Sequence, residues 1–338
     1  MSPTGRPEGE HRSAQHEGRP VNVAVGRGIT LDCEDFGDAG APVILLIMGL
    51  GMPAVAWPDP FVAGFVAAGF RVIRFDNRDC GHSTRLTGGG PQDLRLAIAR
   101  ALLRRPVSAP YTLDDMAADT VGLLDALGIG RVHVAGVSMG GMIAQNVAAR
   151  HPARVASLTS IMASTGNPSL RVALGKPRAL RAILTRPLLG ADADALVEHY
   201  ARVYGVIGSP GFAHDPDLLR HHLRRIVERG FHPAGTARQL LAILASGDRR
   251  ALLQRIVAPT LVVHGSDDPL VPLAAGRDTA RQIAGSEFEV VAGMGHDLPP
   301  GVQQILVERI VRHCRAAQSR GGAGVARPDA PDQPASRW

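Results

Sequence analysis

At 338 residues, with 45% hydrophobic and 20% charged side chains, the chain has the make-up of one large globular domain, which excludes a fibrous or low-complexity protein. The formal net charge of +6 would suit a nucleic-acid binder, but the basic residues are nearly all Arg (Lys176 is the only lysine) and read as scattered, which argues against nucleic acid as a partner. Three widely spaced cysteines, Cys33, Cys80 and Cys314, imply neither a disulfide framework nor a metal site and suit a reducing compartment.

Residues 1–20 are polar and rich in Gly, Pro and charge, as expected of a disordered tail. They hold no apolar core of signal-peptide length, and no run of about 18 apolar residues occurs anywhere, so a cytoplasmic protein with no membrane partner is expected. Between residues 21 and 36, two β-patterned runs flank Gly26-Arg27-Gly28, a hairpin signal. The continuous apolar run PVILLIM at 42–48 reads as a parallel strand buried on both faces. It ends in a Gly-rich loop, Met48-Gly49-Leu50-Gly51-Met52, which can turn a backbone N–H outward. A helix over 58–69 and a strand over 70–75 follow, then the polar loop DNRDCGHS at 76–83, in which His82 reads as a solvated loop histidine. Residues 111–127 carry an amphipathic helix, with Met116, Val121, Leu124 and Leu127 on one stripe and a capping box of Thr112 and Asp115 at its start.

The stretch RVHVAGVSMGGMIAQNV, 131–147, organises the rest. Its first half alternates like a strand, and its second half reads as a helix. Between them stands Gly136-Val137-Ser138-Met139-Gly140. A serine at such a turn needs a strained backbone, and glycines on either side let strand and helix pass closely. Its Oγ then stands clear of the sheet at the positive end of the helix, where developing negative charge is favoured.

A further strand over 155–163 completes a strand–helix alternation across 21–165, which predicts an α/β fold with a doubly wound, mostly parallel sheet. Over 166–235 the rhythm breaks. Helical periods at 170–184, 193–204 and 217–229 without a strand predict a helical cap inserted above the sheet. The core resumes over 236–316, with strands at 259–265 and 288–291 and helices at 273–283 and 302–316. Residues 317–338 read as a second disordered tail.

Activating a serine requires a base, and the base a carboxylate that fixes its tautomer. Such partners belong on loops at the carboxyl ends of strands. Two loops late in the chain qualify: Ser266-Asp267-Asp268-Pro269 and Gly293-Met294-Gly295-His296-Asp297. The order Ser138, Asp268, His296 is the one this architecture requires. Of the two aspartates, Asp268 is preferred, because the residue before a proline is pushed into an extended conformation. The backbone N–H groups of Met139 and Leu50 are the expected oxyanion donors. Met52 and Trp57 are candidate substrate-pocket walls, one adaptable and one flat. No H-x-x-x-H, C-x-x-C or carboxylate cluster with ligand spacing occurs, so neither metal nor organic cofactor is expected.

Met48-Gly49-Leu50, the D-x-R-x-x-G-x-S run from Asp76 to Ser83, Gly-Val-Ser-Met-Gly-Gly, Gly-Ser-Asp-Asp-Pro and Gly-Met-Gly-His together resemble the α/β-hydrolase superfamily over about residues 21–316. MGLGMPAVAWPDPF, RFDNRDCGHST and GMGHDLP resemble, more closely, the aclacinomycin methylesterase group, which hydrolyses a methyl ester on an anthracycline. This resemblance implies Ser138 as nucleophile, His296 as base, Asp268 as its partner, and Leu50 and Met139 as oxyanion donors. The expected activity is hydrolysis of a small-molecule carboxylic ester through an acyl-enzyme. The same triad also resembles that of cofactor-free haloperoxidases and of C–C bond hydrolases. A binding protein that kept the fold would be expected to carry a damaged triad, and all three members are present here.

Overall fold

The central strand β3 (Val43–Ile47) is buried on both faces because its sequence, VILLI, is apolar without alternation; it has no exposed residue. A computed structural model describes residues 18–87, 93–185, 187, 190–230 and 232–322. β1 (Arg19–Gly26) and β2 (Ile29–Phe36) pair as an antiparallel hairpin, and β2 runs antiparallel to β4 (Arg71–Phe75). From β4 the sheet continues in parallel through β3, β5 (Val132–Val137), β6 (Val155–Ile161), β7 (Thr260–Gly265) and β8 (Glu287–Val291). The hairpin turn forms because Gly26, Arg27 and Gly28 all adopt positive φ, as its glycines suggest.

Successive side chains of β3 enter opposite layers. Leu45 and Ile47 pack in the layer that includes α3 (Leu113–Ala126) and α4 (Met139–Arg150). Ile44 and Leu46 pack in the layer that includes α1 (Asp59–Ala67) and α12 (Pro300–Gly322). The Thr112–Asp115 capping box forms at the start of α3, both reciprocal bonds being present.

The sequence reading assigns no element between the loop at 76–83 and residue 111, but α2 (Leu94–Leu102) forms there, capped by the Asp93 carboxylate on the N–H groups of Arg95 and Leu96. The chain also departs from the expected tails at both ends. Arg19 and Pro20 already belong to β1, and α12 runs six residues beyond 316; positions 1–17 and 323–338 lie outside the described residues.

Between β6 and β7 come α5 (Leu170–Ala173), α6 (Pro177–Leu184), α7 (Ala193–Ile207), α8 (Pro216–Gly230), α9 (Pro233–Ser246) and α10 (Arg250–Leu253). The single helical period expected over 170–184 is two helices. Pro177 forces Lys176 into an extended conformation, and the Lys176 N–H donates instead to Pro269 O at 2.6 Å. α9 crosses residue 235, so no element ends at the expected cap limit. Arg229 fastens α8 to the sheet edge: its guanidinium reaches Asp32 at 2.5 Å, Glu34 at 2.5 Å and Asp76 at 3.0 Å. Among the described residues no helix is long and apolar enough to cross a membrane.

Candidate active site

The turn from β5 into α4 holds Ser138 at φ 55°, ψ −121°, a conformation that non-glycine residues rarely adopt and that persists only where the surroundings enforce it. Here they do. The Ser138 N–H donates to Ile161 O of β6 at 2.9 Å, and its carbonyl accepts the Met142 N–H at 3.1 Å. The flanking glycines allow the close passage. A Cβ at Gly140 would collide with the Ile47 carbonyl of β3, and one at Gly136 with the Gly140 carbonyl.

Asp268 and His296 stand on the loops after β7 and β8. His296 Nε2 lies 3.1 Å from Ser138 Oγ, and His296 Nδ1 lies 2.7 Å from Asp268 Oδ2. The other carboxylate oxygen, Asp268 Oδ1, accepts the N–H groups of Leu270 and Val271 at 2.9 Å each. Burial opposes ionisation of this carboxyl. The charge and hydrogen bond of His296, with the Val271 N–H, outweigh it and hold Asp268 below the usual carboxylate range. Asp267, its neighbour, is exposed and accepts a hydrogen bond from its own neighbour Ser266 at 2.6 Å. Of the two adjacent carboxylates, the one before Pro269 is the one that meets His296.

Two neighbours of this trio have no signal in the sequence. His264 reads as a packed core residue of β7, yet its Nε2 is 3.6 Å from Asp268 Oδ2 and 2.8 Å from the Val271 carbonyl. Burial pushes its pKa down, and Nε2 donates to the Val271 carbonyl. Asp297 is buried beside His296; burial pushes its pKa up, opposed by the hydrogen bond it receives from the Ser209 hydroxyl.

The loop after β3 runs alongside the serine. A Cβ at Gly49 would stand 3.3 Å from Ser138 Cβ. The next residue, Leu50, has a backbone N–H that donates to no group among the described residues. Met139 is the first residue of α4, so its N–H has no partner within the helix. Both expected donors thus flank the serine with free N–H groups.

Above the serine lies a cavity of about 1240 Å³ whose walls include Met48, Leu50, Met52, Met142 and Met162, with residues of α6, α7, α8 and α9 opposite. Met52 lines it as expected. Trp57 does not. It is fully buried, stacked on Phe61 with ring centroids 5.2 Å apart, in the layer beneath α1. The reason is local: Trp57 follows the short buried turn Ala54–Ala56, whose Ala54 N–H is anchored by Asp76 at 2.6 Å, and this turns the indole toward the core. Met139 is likewise fully buried and lends only its backbone.

Among the described residues, the one group of carboxylates and histidine spaced to hold a metal is Asp32, Asp76 and His82. The Arg229 guanidinium already bridges its two carboxylates, which makes the group a charge-neutralised fastening of α8.

A serine strained into the turn between a central parallel strand and its helix, with a histidine and an aspartate from later strand ends beside it, is the hallmark of one class of enzyme scaffold, the α/β hydrolases. A family model described as the alpha/beta hydrolase fold matches residues 42–299, and the chain belongs to that family. It is 30% identical over 317 residues to the rhodomycin D methylesterase DnrP of Streptomyces peucetius, covering 88% of this chain and 99% of that protein. A second rhodomycin D methylesterase, from another Streptomyces, is 30% identical over 321 residues. Among solved structures, an enol-lactonase from Burkholderia xenovorans superposes with a TM-score of 0.65 at 26% identity, covering 86% of this chain and 99% of that one.

Proposed function

We propose that the chain hydrolyses carboxylic esters through an acyl-enzyme on Ser138, acting on small esters of a bulky, largely apolar acid with a small alcohol such as methanol. The relay from Ser138 through His296 to Asp268, opening directly on the large apolar cavity, carries this reading. His296 accepts the Ser138 hydroxyl proton at Nε2 as Oγ attacks the ester carbonyl. Asp268 accepts the Nδ1–H, holds that tautomer and offsets the imidazolium charge. The N–H groups of Leu50 and Met139 receive the oxyanion. His296 then protonates the departing alkoxide, and a water molecule, deprotonated by the same Nε2, releases the acid and restores the serine.

Two observations support the acyl and alcohol preference. The cavity is larger than most small-molecule pockets and its walls are rich in methionine and leucine, which suits an irregular apolar acid. Two relatives that span 88% of this chain are rhodomycin D methylesterases. Three buried, unpaired cysteines support a cytoplasmic setting.

Two assays test the reading. A serine-directed fluorophosphonate should label Ser138 alone, identified by mass spectrometry of the modified peptide. Matched ester pairs at one pH should then show higher kcat/KM for methyl esters of polycyclic acids than for acetate esters of long alcohols. No labelling of Ser138 overturns the mechanism, and a preference for acetate esters overturns the substrate assignment.

A further inference from the structure

The sequence reading treats the arginines as scattered, but two stretches concentrate basic residues with no acid beside them in sequence. Residues 94–110 and 170–190 together carry nine of the chain's 37 Lys and Arg and no Asp or Glu, more than its whole net charge of +6. Eight of the nine, Arg95, Arg100, Arg104, Arg105, Arg171, Lys176, Arg178 and Arg181, lie among the described residues, and every one is exposed. None of the eight forms an ion pair among the described residues, although many arginines elsewhere do, Arg71, Arg78, Arg229 and Arg238 among them.

Among the described residues, the same two stretches hold six of the ten exposed large apolar side chains: Leu96, Leu102, Leu103, Leu170, Leu174 and Leu184. Four of these, Leu102, Leu170, Leu174 and Leu184, also line the cavity above Ser138. A side chain that is both a cavity wall and exposed stands at the mouth. Arg104 and Arg105 line the cavity too. The part of the mouth that these two stretches form is therefore rimmed by leucines interleaved with cations, with no acid in either stretch, while the exposed Asp59, Asp215 and Asp248 line other parts of it.

We propose that this rim docks the enzyme on an anionic lipid surface, with the cavity mouth facing the bilayer. Exposed leucines insert at the headgroup–acyl boundary while flanking arginines meet anionic headgroups, the combination by which helices bind in the plane of an interface. A purely polyanionic partner such as nucleic acid would not require the leucines, and an acidic solute would not require so broad a rim. Docking in this orientation would let an amphiphilic ester pass from the bilayer to Ser138 without crossing water. That last step rests on the proposed hydrolysis; the docking does not.

The test is co-sedimentation of the full chain with vesicles of phosphatidylcholine alone or of equal parts phosphatidylcholine and phosphatidylglycerol, at low and high salt. The wild-type protein should bind the anionic vesicles, more weakly as salt rises. Two double variants outside the cavity walls, Leu96→Ser with Leu103→Ser and Arg178→Glu with Arg181→Glu, should each weaken binding by about tenfold or more. Both should hydrolyse a short, water-soluble ester at the wild-type rate. Absence of binding to anionic vesicles, or equal binding to neutral ones, overturns the proposal. So does undiminished vesicle binding by the leucine variant together with wild-type binding to duplex DNA, which would mark a polyanion site. A dimer in size-exclusion chromatography that the leucine variant converts to a monomer would also overturn it, because the rim would then be covered by a second copy. Vesicle binding without any ester hydrolysis would fault only the proposed reaction.

Discussion

The Ser209 hydroxyl donates to the carboxylate of Asp297, the residue next to His296, and accepts the N–H of Gly295, the residue before it, at 2.8 Å. One side chain after α7 thus grips the histidine loop on both sides of the histidine. Two backbone bonds add to the grip, His296 N–H to Ile207 O at 2.7 Å and Gly211 N–H to Gly293 O at 2.9 Å. The base of the proposed triad is therefore hung partly from the helical insertion, not only from the sheet.

Ser209→Ala should lower kcat by roughly tenfold with a small change in KM, because a misplaced base costs transition-state stabilisation more than ground-state binding. It should also cost about 1–3 kcal/mol of stability, since the buried Asp297 and the Gly295 N–H both lose a partner. Steady-state kinetics on a soluble ester, with urea unfolding, measures both. A stability loss with unchanged kcat would show that the grip is structural only.

Ser138→Ala and His296→Ala should each remove a factor on the order of 10⁴–10⁶ in kcat, and the double variant should be little worse than either, as for groups that act as a unit. Folded Ser138→Ala protein retaining more than a tenth of wild-type activity would exclude the acyl-enzyme route.

Asp268→Asn should lose roughly 10⁴ in kcat through the wrong histidine tautomer. Asp267→Asn should stay near wild type, because that carboxylate faces solvent and touches only Ser266. Comparing the two asparagine variants under identical conditions is decisive, since they differ only in which carboxylate is lost.

Trp57→Ala should act on stability, not on substrate choice. A fully buried, stacked indole lost from the core costs about 3–5 kcal/mol, whereas Met52→Ala opens the cavity wall itself. Unfolding midpoints and relative kcat/KM for large and small acyl esters should separate the two. A Trp57→Ala protein of normal stability with altered acyl preference would contradict its position in the core.

Acid should destabilise the fold partly through His133 of β5. Burial, then repulsion from His313 and Arg131, lowers its pKa from 6.5 to about 4. The folded state thus resists protonation that the unfolded chain accepts. The stability from neutral His133 is complete above pH 6.5 and is lost as pH falls from there toward 4. His264 and His313 shift in the same direction. Urea unfolding at pH 7.5 and 4.5 should show the pH-dependent loss shrinking by about 2–3 kcal/mol in His133→Gln.

By itself the sequence determined what depends on local physics. Apolar runs without alternation marked buried parallel strands, and glycines at 136 and 140 marked a turn where backbones nearly touch. Pro269 marked the one of two adjacent carboxylates that stands beside His296. Local rules also failed where a local feature was passed over, as with the Asp93 cap of α2 and the break that Pro177 imposes on the helix expected over 170–184. What only the tertiary structure decided was which distant residues meet. Trp57 looked like a pocket wall because an aromatic beside a catalytic loop can face either way; the anchoring of Ala54 by Asp76 sends it into the core. Ser209 and His264 carry no motif at all, and they matter only because the fold brings Ser209 into hydrogen bonds with the histidine loop and His264 beside Asp268, bonded to the Val271 carbonyl. The basic, leucine-rich rim is likewise two stretches far apart in sequence. Its meaning arises from pairing: elsewhere folding supplied many arginines with carboxylate partners, and among the described residues it gave the cations of these two stretches none.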